Sequence, residues 1–349
     1  IMPKRFLGNI MTDAPTAPDG NFISSAASGV WSLAEALSYT KAGLWPNAAN
    51  AIPRAVFAGG GAGAPNYSSN VMDYVTITST GNATDFGDLA ALNSNSNNGN
   101  ISSTTRGIIS GGSEGGVAVN RIQYITIAAT GNATDFGDLT STFLEAAGAS
   151  NATKGLIAAG LATSRTNRID VITIASTGDA SDFGDLTISA NGNTGCGSAT
   201  RSIFAGGVTT GPITYQTTMA YVNPSSSGNA ADFGDLTVGR QYPGAASNST
   251  RALFSGGYGG SDLNTIDYVT IASTGNATDF GDLISVGYGK AGASNSTRAI
   301  FASGLDNGSF SNAIDAVEIS STGNATDFGN LTLARFGCSA CSPSHGGLA

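Results

Sequence analysis

Residues 81–89 read Gly-Asn-Ala-Thr-Asp-Phe-Gly-Asp-Leu, and the last five of them return along the whole chain. The further copies of this Asp-Phe-Gly-Asp-Leu phrase lie at 135–139, 182–186, 232–236, 279–283 and, with Asn for the second Asp, 327–331. Their phenylalanines follow one another at steps of 50, 47, 50, 47 and 48 residues. Six copies at a nearly fixed period indicate an internal repeat, and such a repeat dictates the architecture.

A second phrase runs in step with the first, and it consists of a cation, a short apolar run and a pair of small residues. The cations that open it are Arg54, Arg106, Lys154, Arg201, Arg251 and Arg298. Within one period, four strand-like pieces follow one another at 240–247, 251–255, 266–272 and 278–283. Turn-forming sequences rich in Asn, Ser and Gly separate them. Four short strands in each period of about 48 residues are typical of a β-propeller blade.

The repeat resembles the kelch repeat, because its second strand ends in a Gly pair and an Arg opens the next unit. The kelch pattern has a Tyr in its third strand, which matches Tyr74, Tyr124, Tyr221 and Tyr268, and a Trp in its fourth, which is Phe here. The resemblance implies an all-β, six-bladed kelch-like β-propeller over 51–349. Residues 335–342 align with 240–247, so we expect a C-terminal strand to complete the first blade, close the ring and remove its open edges.

Residues 1–50 stand outside the repeat. Ser32 and Glu35 have capping-box spacing, which predicts one short helix over about 33–41. Trp31 and Trp45 flank it, so this segment either packs on the propeller as a plug or docks a neighbouring protein, since aromatic side chains are favoured interface anchors. Because the sequence opens on Ile1, we expect it to be processed or part of a longer chain.

Composition excludes several classes of function. A net charge of −9 and a pI near 4.4 argue against nucleic-acid binding, which needs a basic face. No apolar run is long enough to span a membrane. One histidine, His345, provides neither a catalytic triad nor a metal cage. Cys338 and Cys341 are expected to be buried thiols rather than a zinc or redox pair. We therefore expect no enzymatic activity, no cofactor and no metal.

The repeated phrases themselves are assigned structural roles. We expect each Phe to fill the seam between blades, each first Asp to cap its turn, and the cations to tie blades together as Arg–Asp pairs. Calcium binding by the two carboxylates of each phrase is the alternative, although further acidic ligands are lacking. The residues concerned, besides the six cations, are Asp85, Phe86, Asp135, Phe136, Asp182, Phe183, Asp232, Phe233, Asp279, Phe280, Asp327 and Phe328.

What varies between repeats is the loop after the Gly pair. These loops fall on one face of the predicted disk, and variable loops on a rigid scaffold are where binding usually occurs. Tyr67, Tyr258 and Phe310 are the candidate residues for stacking on sugars or contacting a receptor. Plain solvated loops are the alternative.

The segment 27–46, followed by repeats of Ser-Thr-Gly-Asn-Ala-Thr-Asp-Phe-Gly-Asp-Leu, resembles virion structural proteins of tailed bacteriophages. The resemblance implies a non-enzymatic tail-fibre, appendage or capsid-surface component that is located in the virion. It would attach to other virion proteins through residues 1–50, form homo-oligomers there, and display the propeller for assembly or contact with a host-surface glycan or receptor. The alternatives are a carbohydrate-binding or carbohydrate-active extracellular propeller, which carboxylates converging in the central channel would favour, and a secreted bacterial adhesion protein.

Overall fold

A computed structural model divides the chain into two units, Ile1–Ile52 and Pro53–Ala349. The structure describes residues 5–7, 10–12, 53–63, 68–94, 98–99 and 101–348, with side chains from residue 53 onwards except at 98–99. In the first unit, Arg5–Leu7 pairs antiparallel with Ile10–Thr12. The predicted helix over about 33–41, and with it Trp31 and Trp45, lies outside the described residues.

The second unit is a six-bladed β-propeller, as the repeat predicts. Each blade is an antiparallel sheet whose strands follow one another from the axis outwards. From the inner to the outer strand, blade 3 consists of Ala147–Ser150, Lys154–Ala158, Thr166–Thr173 and Ser181–Ala190; blade 4 of Thr194–Ser198, Arg201–Ala205, Thr218–Val222 and Ala231–Asp235; blade 5 of Gly244–Ser247, Arg251–Ser255, Thr265–Thr270 and Thr278–Asp282; and blade 6 of Ala291–Ser294, Arg298–Ala302, Ala313–Glu318 and Thr326–Asn330.

Blade 2 has the same order with a shorter inner edge. Its ladder contains Arg106–Ser110, Arg121–Thr126 and Thr134–Asp138, and a bridge between Ser102 and Gly107 continues it towards the axis. At the axis, Asn98–Gly99 pairs in parallel with the inner strands of blades 3 and 4.

The C-terminal strand closes the ring in blade 1, which confirms the expectation from the sequence. Blade 1 contains Ser339–Cys341, Arg54–Ala58, Ser69–Thr76 and Thr84–Asn93. Val56 is paired with Cys341, and Ala58 with Ser339. The two ends of the propeller thus share one hydrogen-bonded sheet, so neither leaves an unpaired edge at the closure.

Because neighbouring strands alternate in direction, the ring has two distinct faces. The turn face carries the turns that join inner to second strands and third to outer strands. The loop face carries the loops between second and third strands and the connections to the next blade. Three of its loops form small hairpins, Ser113–Glu114 with Val117–Ala118, Val208–Thr209 with Thr214–Tyr215, and Leu305–Asp306 with Ser309–Phe310.

The axis of the ring is filled by tightly packed inner strands of small residues. A Cβ atom on Gly292 would lie 2.1 Å from the carbonyl oxygen of Ala245 in the preceding blade, so only glycine fits there. Serines of the inner edges form a chain of bonds from blade to blade. Ser247 Oγ donates to the Gly197 carbonyl at 2.7 Å, and Ser294 Oγ donates to the Ser247 carbonyl at 2.7 Å. The centre is therefore a packed core rather than an open channel.

The C-terminal residues end at the axis on the turn face. Gly346–Leu348 forms a short 3₁₀ turn beside the inner strand of blade 4, where Gly197 takes the place of the repeated serine. His345 is buried next to Ser102 and Ser150, and this burial lowers its pKa to about 4. The terminal segment is thus part of the packed centre.

Copies of the repeated phrase in neighbouring blades bond to each other. The first half of each copy, which forms the turn, donates hydrogen bonds to the second half of the copy in the preceding blade. Gly131 N–H of blade 2 donates to the Phe86 carbonyl of blade 1 at 2.7 Å, and Ala133 N–H donates to the Asp88 carbonyl at 2.9 Å. The side chain of Asn132 accepts the Asp88 N–H at 3.0 Å. All six seams repeat this arrangement with Asn or Asp in the third role, including the closing seam between blades 6 and 1. We call it the seam belt.

Each phenylalanine of the phrase is buried between two blades. Phe86, for example, lies in a cluster with Met72 and Leu89 of its own blade and Ile109 and Ile125 of blade 2. The first aspartates, such as Asp85, are exposed, and the side-chain oxygen at each turn comes from the Asn or Asp after the first Gly of the phrase. This corrects the capping role predicted for the first Asp, because that residue lies in the outer strand and pairs with the third strand, as Asp85 does with Asp73.

Candidate binding surface on the loop face

The cations of the second phrase do not form the predicted pairs with aspartate. Arg201 Nη1 donates instead to the Ile271 carbonyl of the next blade at 2.7 Å, and its guanidinium lies 4.5 Å from the ring centre of Tyr221. The other arginines cross the other seams in the same way, from Arg54 to Ala128, Arg106 to Ile174, Arg251 to Ile319 and Arg298 to Ile77. Lys154 is the exception and bonds Thr173 of its own blade. The arginines therefore cross the seams through bonds to main-chain carbonyls, and the cation–π contacts hold a guanidinium on a tyrosine of its own blade. Both contacts carry less desolvation cost than a buried ion pair.

Buried ion pairs occur elsewhere, beneath the loop face. Arg240, which precedes the inner strand of blade 5, contacts Asp267 of the third strand at 2.6 Å, with both side chains fully buried. Arg335 and Asp73 repeat this pair in blade 1 at 2.9 Å. A threonine on the same connection, Thr237 in blade 5, also donates to the aspartate. These pairs fix the connection between blades to the sheet that follows.

Blade 6 carries an incomplete version of this arrangement. Gly287 stands at the position of the arginine, and Lys290, three residues further on, bonds Asp306 at 3.1 Å and the Ser303 carbonyl at 3.2 Å. Asp315, at the position of Asp267, keeps one carboxylate oxygen without a hydrogen-bond partner among the described residues. Burial, only partly offset by Lys290, raises its pKa to about 6.

The loop face also carries the exposed apolar side chains of the propeller. The most exposed are Ile213 at 70 %, Val117 at 68 % and Ile284 at 57 %. Leu92, near the end of the outer strand of blade 1, and Val238 belong to the same set, and all five lie on the loop face. Within the described part of the propeller, no large hydrophobic side chain is exposed on the turn face. A clustering of this kind is typical of a surface that contacts a partner.

Four half-buried tyrosines form a continuous group across blades 4 to 6, which we call the tyrosine arc. Tyr258 stands edge-on to Tyr215 at 5.5 Å between ring centres and to Tyr288 at 5.6 Å. Tyr288 in turn stacks on Tyr242 at 5.9 Å with 28° between the ring planes. Their edge-to-face and offset contacts hold the rings in fixed orientations.

A polar group adjoins the arc at the axial end of the loop face. Glu145 accepts hydrogen bonds from the side-chain amide of Asn191 and from the Tyr242 hydroxyl. Burial and the Glu145 carboxylate raise the pKa of Tyr242, so its hydroxyl stays protonated at neutral pH. Asn191 is only 4 % exposed, and its side-chain carbonyl oxygen has no partner among the described residues.

Glu145 and Tyr242 occupy equivalent positions just before the inner strands of blades 3 and 5. Both have left-handed backbone conformations, with φ of 59° and 54°. Blades 4, 6 and 1 use Gly192, Gly289 and Gly337 at this position. A non-glycine residue there costs roughly 1 kcal/mol or more, and such strain clusters at functional sites.

Of the candidates from the sequence, the structure places Tyr258 in the tyrosine arc. Phe310 lies on the same face but packs on Phe336, with ring centres 5.9 Å apart. Tyr67 lies outside the described residues. Sequence reasoning missed Tyr242 and Tyr288 because they occur in the connections between blades, outside the variable loops after the Gly pair.

The three cysteines are buried and free, which confirms the prediction for Cys338 and Cys341. Burial raises the pKa of Cys196 and Cys341 to about 12, so these thiols are unreactive at neutral pH. In the described part of the chain, no cluster of three or more His, Cys, Asp or Glu side chains has a geometry suited to a metal ion. The described residues also include no helix long and apolar enough to cross a membrane.

No protein-family model matches this chain, and a comparison with curated proteins finds no match either.

Proposed function

We propose that this chain is a non-enzymatic structural protein of a bacteriophage virion, in a tail fibre, an appendage or the capsid surface. In this proposal the propeller is a rigid module that presents its loop face to a host surface. Other virion proteins hold the chain through residues 1–50, and several copies assemble in one particle.

The observation that carries the proposal is the chemical difference between the two faces. The turn face repeats one set of Ser, Thr, Asn and Gly turns, whereas the loop face carries the tyrosine arc and the exposed aliphatic side chains. A surface selected only for solubility has no need of a large exposed Ile213 next to Tyr215.

The filled axis supports a binding role over a carbohydrate-active one. The inner strands pack so closely that Gly195 has no space for a side chain, because a Cβ atom would lie 2.6 Å from the Gly148 carbonyl. The described inner strands thus leave no room for a substrate at the centre of the ring, which is where the enzymatic alternative places converging carboxylates.

The test is fractionation of particles from the source by density gradient, with this chain quantified by mass spectrometry against the major capsid protein. We expect a constant ratio of the two proteins across the particle fractions. Recovery of the chain only as free protein would contradict the proposal. Gold-labelled antibodies against the loop face and against the turn face would then show which face is accessible on intact particles, and we expect the loop face to be labelled.

A further inference from the structure

We infer that the tyrosine arc, together with Glu145 and Asn191, is a binding site for a neutral oligosaccharide. This inference rests on the proposed contact with a host surface and names the class of ligand that this surface would recognise.

The arc offers the apolar half of such a site. A sugar ring presents a face of C–H groups, which packs on an aromatic face, and an edge of hydroxyls. Tyr258 and Tyr288 are half-buried, so part of each ring faces solvent while edge-to-face contacts hold it in place. Rings fixed in advance lose little entropy when a ligand stacks on them.

The polar group next to the arc offers the hydrogen bonds. The unpartnered carbonyl oxygen of Asn191 needs a donor, and a buried acceptor left without one is costly. Glu145 provides further acceptor sites beside it, and the Tyr242 hydroxyl is held by the same carboxylate. Sugar hydroxyls are donors of the kind that such acceptors require.

Backbone strain marks the same place independently. Glu145 and Tyr242 are the residues that adopt a left-handed conformation where three other blades have glycine. Both side chains belong to the polar group, so the strain supports side chains that glycine could not supply.

The charges around the arc favour a neutral ligand. Glu145 lies at one end and Asp262 lies close enough to raise the pKa of Tyr288, whereas Asp306 of the neighbouring hairpin is already paired with Lys290. Arg165 is a cation close enough to act on the Tyr242 hydroxyl, and it donates its Nε–H to the Val208 carbonyl at 2.9 Å. Sialylated or sulfated glycans would therefore meet net repulsion.

Calorimetric titration of the full chain with neutral hexasaccharides of glucose, galactose, mannose and N-acetylglucosamine, and with sialylated and sulfated oligosaccharides, tests the inference. We expect at least one neutral series to bind and the anionic ones to bind more weakly. Tyr288→Ala should weaken binding roughly tenfold, since it removes one stacking ring. The nearly isosteric Tyr242→Phe should weaken it about fivefold, because it removes one hydroxyl without disturbing the packing.

Phe310→Ala is the matched control, because it removes an aromatic ring of the same face outside the arc. We expect its affinity to stay within about twofold of the wild type. Absence of binding to every neutral series, preference for an anionic one, or an equal loss in Phe310→Ala would each overturn the inference.

Binding of labelled protein to bacterial cells from the source separates this inference from the proposed function. Loss of binding after periodate oxidation of cell-surface sugars supports the glycan. Loss after proteinase treatment, with retention after periodate, overturns the glycan and leaves host-surface contact in place. Failure to bind any cells, together with absence from particles, overturns the proposed function itself.

Discussion

The seam belt and the loop face have different roles within the same repeat. At the seam belt, every blade must bind the next one, so each copy of the phrase has to fit its neighbour's copy, and six near-identical sequences result. On the loop face, each blade has its own loop, and the side chains of these loops are only partly packed against the blades. Repetition in this chain thus marks contacts between blades, whereas variation marks the surface that is free to bind.

The largest expected effect comes from the buried ion pairs beneath the loop face. Asp267→Ala should lower the free energy of unfolding by about 3–5 kcal/mol, because Arg240 is then left buried without its counter-charge. Urea denaturation measures the change. The double variant Asp267→Ala/Arg240→Met should recover much of the loss, since blade 4 already uses Ala220 and Ala190 at the equivalent positions. A single variant within about 1 kcal/mol of the wild type would contradict this account.

A glycine pair tests the seam belt directly. Gly184→Ala should cost about 3 kcal/mol or more, because its Cβ would lie 2.4 Å from the Gly228 carbonyl of blade 4. Gly228→Ala is the matched control, since its φ of 153° is similar to the 149° of Gly184 but no atom lies within 4 Å of its Cβ. It should cost only about 1 kcal/mol. Equal losses in chemical denaturation would show that the close approach of the blades is not what requires glycine at 184.

The incomplete pair in blade 6 predicts a dependence on pH. The pKa of Asp315 is raised from 3.8 to about 6 by burial, with Lys290 opposing and Asp306 and Asp327 adding to the shift. Its contribution to stability is therefore present below about pH 4 and is lost as the pH rises through about 6. Asp315→Asn should be more stable than the wild type by roughly 1–3 kcal/mol at pH 8, with little difference at pH 4. Thermal unfolding at both pH values measures this, and an advantage confined to acidic pH would have the wrong sign.

The smallest effect on stability should come from the exposed side chains of the loop face. Ile213→Ser and Ile284→Ser should each change the free energy of unfolding by no more than about 0.5 kcal/mol, because neither side chain is buried. Both variants should nevertheless bind cells from the source more weakly than the wild type. A large loss of stability, or unchanged binding to cells, would remove these residues from the proposed contact surface.

Much of the fold was predictable from the sequence because its signals are local and repeated. The period, the four strands of each blade and the closing strand in blade 1 all follow from short phrases that recur along the chain with nearly the same residues. The roles of single side chains were less accessible. The arginines that open each second strand recur in step with the aspartates, but the structure places main-chain carbonyls closer to them.

The candidate site was predictable only in part. Tyr258 lies in a variable loop, which is where sequence reasoning looks for binding residues. Tyr242 and Tyr288 lie 46 residues apart in the chain, and only the arrangement of blades 5 and 6 brings their rings together. Asn191 and Glu145 likewise lie far apart in the sequence, and only the fold brings them together in a hydrogen bond across a seam.

The repeats in the sequence are enough to specify a ring of six similar sheets and to show that one face of the ring differs from blade to blade. They do so because strands, turns and blade contacts are encoded by residues close together in each repeat. The tertiary structure was needed to show which side chains share a surface and how the axis is filled. It was also needed to show that the Arg240–Asp267 and Arg335–Asp73 pairs are buried. Those features depend on distances between different blades, and the spacing of residues along the chain does not fix them.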